Sequence, residues 1–119
     1  MSDKPLTERL QVKRGRTLAL VEAPVGLDVG LDQTVAMEDA DVVLVFVNRR
    51  ADLERLMPQV LGELRPTAIL WLAYPKLTSS LAGDLNRNLI HDLVPAYGLD
   101  TVSQIAVDND WSAMRLKRV

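Results

Sequence analysis

The 119-residue sequence predicts a single α/β domain over residues 1–119, built in three layers, with a mostly parallel sheet and a C-terminal antiparallel hairpin. Three observations carry this. Thr17–Ala23, Asp41–Val47 ("DVVLVFV") and Thr67–Ala73 ("TAILWLA") are near-continuous apolar runs rather than alternating ones. Such runs mark strands buried on both faces, as in a parallel sheet covered by helices. The segments that follow the second and third runs carry helical spacing, so strand and helix alternate and right-handed crossovers follow. The last two apolar segments are more mixed and close together, the pattern of a hairpin.

Each element has a local reason. In "TERLQV" Thr7 is placed to cap a short helical turn, and "KRGR" punctuates before the first strand. Residues 24–36, "PVGLDVGLDQTVA", hold a proline and two glycines and have no helical stripe, so a short strand at 34–36 is the most they support. Between the second and third strands, Leu53, Leu56, Met57, Val60, Leu61 and Leu64 fall on one helical face. Pro58 inside that stripe either kinks the helix or starts a second one. A further helix is expected from Asp84 to about Val94, with Leu85, Leu89 and Leu93 on a stripe ended by Pro95 and Gly98. "DTVSQIAVD" and "WSAMRLKRV" pair at the sheet edge and turn near Asn109 and Asp110.

Composition narrows the chemistry. Apolar residues make up 48%, charged residues 25%, and the net charge is −2. That is ordinary globular composition with no bulk attraction to nucleic acid or anionic membrane, so neither is expected as a partner. The longest apolar runs are too short to span a bilayer, and the first residues lack the apolar core of a secretory leader. Cysteine is absent. Thiol nucleophiles, disulfides and cysteine zinc sites go with it, and a reducing, cytoplasmic location is expected.

In an open α/β sheet, ligands gather at the carboxyl ends of the parallel strands. Three loops qualify: Pro24–Asp28, Asn48–Arg50 and Tyr74–Ser80. They offer Arg49, Arg50, Lys76, Thr78, Ser79 and Ser80, a set suited by residue type to a small anion. The alternative is ordinary loop solvation. The first loop, "VEAPVGLD", has one glycine, Gly26, and the chain has neither G-x-G-x-x-G nor a GK[ST] loop. Backbone cannot approach a pyrophosphate there, so no cofactor is assigned. His91, the single histidine, reads as a solvated helix residue, and no metal site is assigned. Ser79 and Ser80 lack a nucleophile-elbow context, so no catalytic residue is assigned. Asp108, Asn109 and Asp110 read as a turn rather than a cation site. Trp71 and Trp111 read as core.

In order along the chain stand "LQVKRGRTLALVEAP", "ADVVLVFV", "WLAYPK" with a Ser/Thr loop, "GDLNRNLI" and "VDNDWSAMRL". Over nearly its whole length the chain resembles a family of small uncharacterised bacterial proteins, a domain of unknown function. Its members carry a W/Y-P-K strand end and a C-terminal D-x-x-W-S element, here Tyr74-Pro75-Lys76 and Trp111-Ser112. The resemblance implies a compact Rossmann-like domain and no established reaction. More distantly the chain is similar to the S-adenosylmethionine-dependent methyltransferase fold, with "APVGLD" where that fold has its glycine-rich cofactor loop. The function expected is that of a small non-catalytic domain acting through contacts with a protein partner or through a small ligand. The alternative is an enzyme or sensor holding a small anionic ligand near Lys76. Whether the chain forms a homo-oligomer is left open.

Overall fold

The computed structural model describes residues 5–12, 15–27, 29–30 and 33–119. Lys13 and Arg14 of the "KRGR" punctuation, and Asp28 at the end of the first loop, lie outside them. The elements are α1 (Leu6–Arg9), β1 (Leu18–Val21), β2 (Val42–Phe46), α2 (Arg50–Glu63), β3 (Ile69–Pro75), α3 (Arg87–Leu93), β4 (Leu99–Ala106) and β5 (Trp111–Arg118). Single 3₁₀ turns occupy Met37–Asp39 and Val94–Tyr97.

The five strands lie in the order β1-β2-β3-β5-β4. The β1–β2 and β2–β3 pairs are parallel, as the continuous apolar runs require. The β3–β5 and β5–β4 pairs are antiparallel. With two parallel and two antiparallel ladders, the sheet is mixed rather than mostly parallel. The chain's last strand does not end at the margin. It inserts between β3 and β4, where Trp71, Leu72 and Ala73 face Arg115, Met114 and Ala113. In that inner place the first four residues of β5 are all buried, whereas at the margin only Leu99 of β4 is.

Side chains alternate between the two faces of the sheet. One face gathers Val43, Val45, Leu70, Leu72, Tyr74, Met114 and Leu116 against Leu53, Leu56, Met57 and Val60 of α2 and Ile90 of α3. The other gathers Val42, Leu44, Phe46, Trp71, Ala73 and Ala113. Its cover is slight: Leu6 of the four-residue α1, then Leu10, Val12, Leu27 and Val29 from irregular chain. Trp71 is fully buried there, and its indole N–H donates to the Leu10 carbonyl at 2.9 Å, pinning the N-terminal segment to the sheet. Phe46 and Trp111 meet edge-to-face at 5.1 Å.

Local expectations shift in detail. α2 runs unbroken through Pro58. Its start is set by Asp52, whose Oδ2 accepts from the Asn48 and Arg49 N–H groups. α3 begins at Arg87, not Asp84, because Asn86 caps it: its Oδ1 accepts from Leu89 N at 3.0 Å. The buried positions become Leu85, Ile90 and Val94, with Leu89 and Leu93 only partly covered. Gly98, at φ 74°, closes the 3₁₀ turn in the left-handed region that glycine tolerates. Thr7 lies inside α1, which follows Pro5. No strand forms at 34–36; instead Val35 N donates to Leu18 O. The hairpin turn is organised by Asp108, whose Oδ1 accepts from Asp110 N and Trp111 N, both at 2.8 Å. Among the described residues no helix is long and apolar enough to cross a membrane.

Asp41 ties the amino ends of the parallel strands together. Its Oδ2 accepts from the Thr17 backbone at 3.0 Å, its backbone carbonyl accepts from Ile69, and Arg65 lies 3.4 Å from Oδ1. The Thr17 N–H, more than it is opposed by partial burial, holds the carboxyl below its usual 3.8, helped by the Thr17 hydroxyl and Arg65. A depressed native pKa gives stability that is present above the unfolded-state value and lost as pH falls through the native one. Asp41→Asn is therefore expected to destabilise at neutral pH, with the gap from wild type closing below about pH 4; urea denaturation at pH 7, 5 and 3 measures it. Trp111→Ala is expected to cost roughly 3–5 kcal/mol, because the indole is buried against Phe46; the same denaturation at pH 7 checks this.

Candidate functional site

β3 ends in a way that forces polarity to appear. Leu70 through Ala73 is flanked by β2 and β5, the strand runs on against β5 alone, and Pro75, which has no N–H, takes the last position opposite Trp111. The next residue, Lys76, continues the ladder by donating its N–H to Asp110 O at 2.8 Å. Its side chain is then released over the carboxyl end of the sheet. A cleft of about 280 Å³ opens there, lined by Tyr74, Lys76, Leu77, Thr78, Asn86, Arg87, Gln104 and Ser112.

The register explains why these residues converge. Tyr74 and Ser112 are directly paired across β3 and β5, and Ser112 is paired with Ala106 of β4. Gln104 sits two residues back on β4, opposite Met114. α3 then begins at the rim and brings Arg87, whose Nη1 lies 3.5 Å from Gln104 Oε1. The Lys76 ammonium has no hydrogen-bond or ion-pair partner among the described residues.

Tyr74 is the unusual member. Only 4% of it is exposed, and its hydroxyl is buried without a hydrogen-bond partner. Burial pushes the phenol above its ordinary 10.0, and the nearby Arg87 charge offsets part of that rise. It is therefore a neutral O–H, buried without an acceptor in a residue that lines the cleft. A buried polar group left unpaired costs about 1–3 kcal/mol, so the position stands out energetically.

The anion-suited residues do not all meet. Lys76 and Thr78 line the cleft. Arg50 is engaged elsewhere: its N–H donates to Asp84 Oδ1 and its guanidinium pairs with Glu54 at 2.7 Å. Arg49 is the exposed N-cap of α2. Ser79 donates to Asp110 Oδ1 at 2.8 Å and accepts from Leu81 N. Ser80 is exposed and lines none of the three clefts described here. The loop after Lys76 is pressed against the Asn48 turn, since a Cβ on Gly83 would stand 2.6 Å from the Asn48 carbonyl oxygen. Sequence reasoning missed Tyr74 as a polar group, and with it Arg87, Gln104 and Ser112. The available signal was a phenol inside an otherwise apolar strand.

Two other clefts carry less. One of about 180 Å³ lies at the ends of β1 and β2, lined by Glu22, Phe46, Asn48, Asp52, Arg55 and Trp111 among others. Its charges are already matched: Arg55 lies 3.2 Å from Glu22 and 3.7 Å from Asp52. The other, about 260 Å³, lies at the opposite end of β3 between Pro66–Leu70 and Arg115–Arg118. There Arg118 is spent on the Leu61 and Leu64 carbonyls at the end of α2. His91 Nδ1 meets Thr101 Oγ1 at 2.8 Å on the exposed side of α3. No group of three or more metal-ligating side chains gathers among the described residues.

Among solved structures, the chain is similar to the mitomycin 7-O-methyltransferase MmcR, with a TM-score of 0.53 and 13% identity over 67% of this chain and 30% of that one. LepI in complex with SAM gives a TM-score of 0.55 and 9% identity over 96% of this chain and 39% of LepI. At these identities the likeness shows a shared α/β fold alone, and the chain spans less than two fifths of either protein. No curated protein matches the chain. Residues 19–119 match the family described as "Protein of unknown function (DUF3052)", and the chain belongs to that family.

Proposed function

We propose that this chain is a small, non-catalytic Rossmann-like domain that binds a small anionic ligand in the Tyr74–Lys76–Arg87–Ser112 cleft. The observation that carries the reading is the buried Tyr74 hydroxyl, which lacks an acceptor beside two cations without carboxylate partners. A carboxylate or phosphate oxygen supplies that acceptor, and charge-assisted bonds from Lys76 and Arg87 hold it. Thr78, Asn86, Gln104 and Ser112 add neutral donors, and Leu77 adds an apolar wall. None of the lining residues is a carboxylate or an imidazole, which favours binding over general-base chemistry. Arg49, Arg50, Ser79 and Ser80 drop out of this proposal, because their positions and partners lie away from the cleft.

The SAM held by LepI is not carried over to this chain. Its first loop after β1 turns through Glu22 at φ 58° and Pro24, with a lone glycine at Gly26. That backbone does not offer the run of free N–H groups that cradles a nucleotide.

Two measurements test the reading. Tyr74→Phe removes the unpaired hydroxyl and is expected to stabilise the ligand-free protein by roughly 1–3 kcal/mol while weakening anion binding; destabilisation instead means the hydroxyl is satisfied. Millimolar phosphate or sulfate, compared with chloride at constant ionic strength, is expected to raise Tm in wild type by mass action. Lys76→Ala and Arg87→Ala should each abolish that rise, and SAM should produce none. Equal anion responses in all three proteins would sink the proposal.

A further inference from the structure

We infer that the ligand of the Tyr74–Lys76–Arg87–Ser112 cleft is a small phosphate monoester, held as its dianion with the phosphoryl oxygens inward and the organic part against Leu77; the inference rests on the anion-binding reading above. Charge is the first argument. Lys76 and Arg87 bring two cations to the cleft, and none of its eight lining residues is a carboxylate. A monocarboxylate neutralises only one of them. A phosphate monoester carries about −1.5 to −2 at neutral pH and matches both.

The hydrogen-bonding groups point the same way. The carboxamide oxygens at the cleft are already used: Asn86 Oδ1 accepts from Leu89 N at 3.0 Å, and Gln104 Oε1 lies 3.5 Å from Arg87 Nη1. What remains on both residues is the amide NH2, which only donates. Ser112 lines the cleft, and its hydroxyl has no partner among the described residues. It is not sealed in as the Tyr74 hydroxyl is, so it keeps access to a ligand. These donors come from β3, β4 and β5 on the sheet side and from the start of α3 on the other. A carboxylate has two oxygens in one plane. A phosphate monoester presents three strong acceptor oxygens that do not share a plane with the ester bond, and so meets donors from both sides.

The organic part follows from the rest of the lining. Leu77 is 74% exposed and gives an apolar wall that a bare ion does not use. The cleft, about 280 Å³, falls just under the roughly 300–1,000 Å³ that drug-sized ligands occupy. That favours a free, small phosphomonoester over a nucleotide or the phosphorylated side chain of another protein.

Calorimetric titration of the full chain with phenyl phosphate, inorganic phosphate, benzoate and malonate tests this. Benzoate keeps the ring and replaces the phosphate by a monocarboxylate; malonate keeps the double charge without the tetrahedral group. Phenyl phosphate is expected to bind about tenfold more tightly than either carboxylate, the effect of one further charge-assisted hydrogen bond. It should also exceed inorganic phosphate, and Leu77→Ala should erase that advantage. From pH 5 to 7 its affinity should rise roughly tenfold, as the second phosphate proton leaves near pKa 6. The titratable groups lining the cleft are Tyr74, Lys76 and Arg87, and His91 of α3 is turned to Thr101, so benzoate should show no such rise. Benzoate or malonate binding as tightly as phenyl phosphate, or a flat pH profile for phenyl phosphate, overturns this assignment and leaves an anion site in place. A phosphoserine peptide that binds more tightly than phenyl phosphate overturns the small-molecule ligand. Failure of every anion to bind overturns the anion-binding reading itself, and this inference with it.

Discussion

Everything in this fold is arranged around a strand that can leave neither face nor edge to water. β3 pairs with β2 on one side and β5 on the other, and Leu70 through Pro75 are all buried. Its side chains must satisfy two cores at once. Leu70, Leu72 and Tyr74 meet the helices, while Trp71 and Ala73 meet the thinly covered face. A strand so enclosed can carry polarity only where it ends. That places the polar groups of β3 at Tyr74 and, just past Pro75, at Lys76, where the proposed ligand would be met.

The two faces are held by different means. On the helical face, α2 contributes four buried side chains at regular spacing, so coverage comes from one amphipathic element. On the other face no long helix is present among the described residues. A short turn and irregular chain do the work, and irregular chain needs specific anchors because it has no repeated packing. The Trp71 indole bond to Leu10 O is such an anchor, and the Asp41 contacts with Thr17 and Arg65 perform the same role at the amino ends of the strands. The indole bond is buried and the Asp41–Thr17 bonds are partly so, which makes both more consequential than the exposed Arg65–Asp41 and Arg50–Glu54 pairs.

The cleft follows from the insertion of β5. Because β5 separates β3 from β4, Tyr74, Ser112 and Gln104 come from three adjacent strands and share one face with Arg87 of α3. A phenol in that place lowers the stability of the ligand-free chain, since apolar packing would serve a core strand better than an unpaired hydroxyl.

The three apolar runs by themselves determined that β1, β2 and β3 are parallel, with β2 and most of β3 buried, because a run without alternation has no face to give to water. Local chemistry also determined the α2 stripe, the Asp108–Asp110 turn, and the core placement of Trp71 and Trp111. Tertiary structure alone decided where β5 goes. Its pairing is with residues about forty positions away, and no local pattern distinguishes an inner hairpin strand from an outer one. The same holds for the site. Lys76 and Thr78 were legible because they follow a strand end, whereas Tyr74 reads as one more apolar-strand aromatic until its neighbours are known. Arg49 and Arg50 looked equivalent to Lys76 by residue type, yet Arg50 is turned to Glu54 and Asp84 and Arg49 to the start of α2. Charge and position along the chain are local properties; which charges share a cavity depends on long-range strand order, and only the folded sheet supplies that.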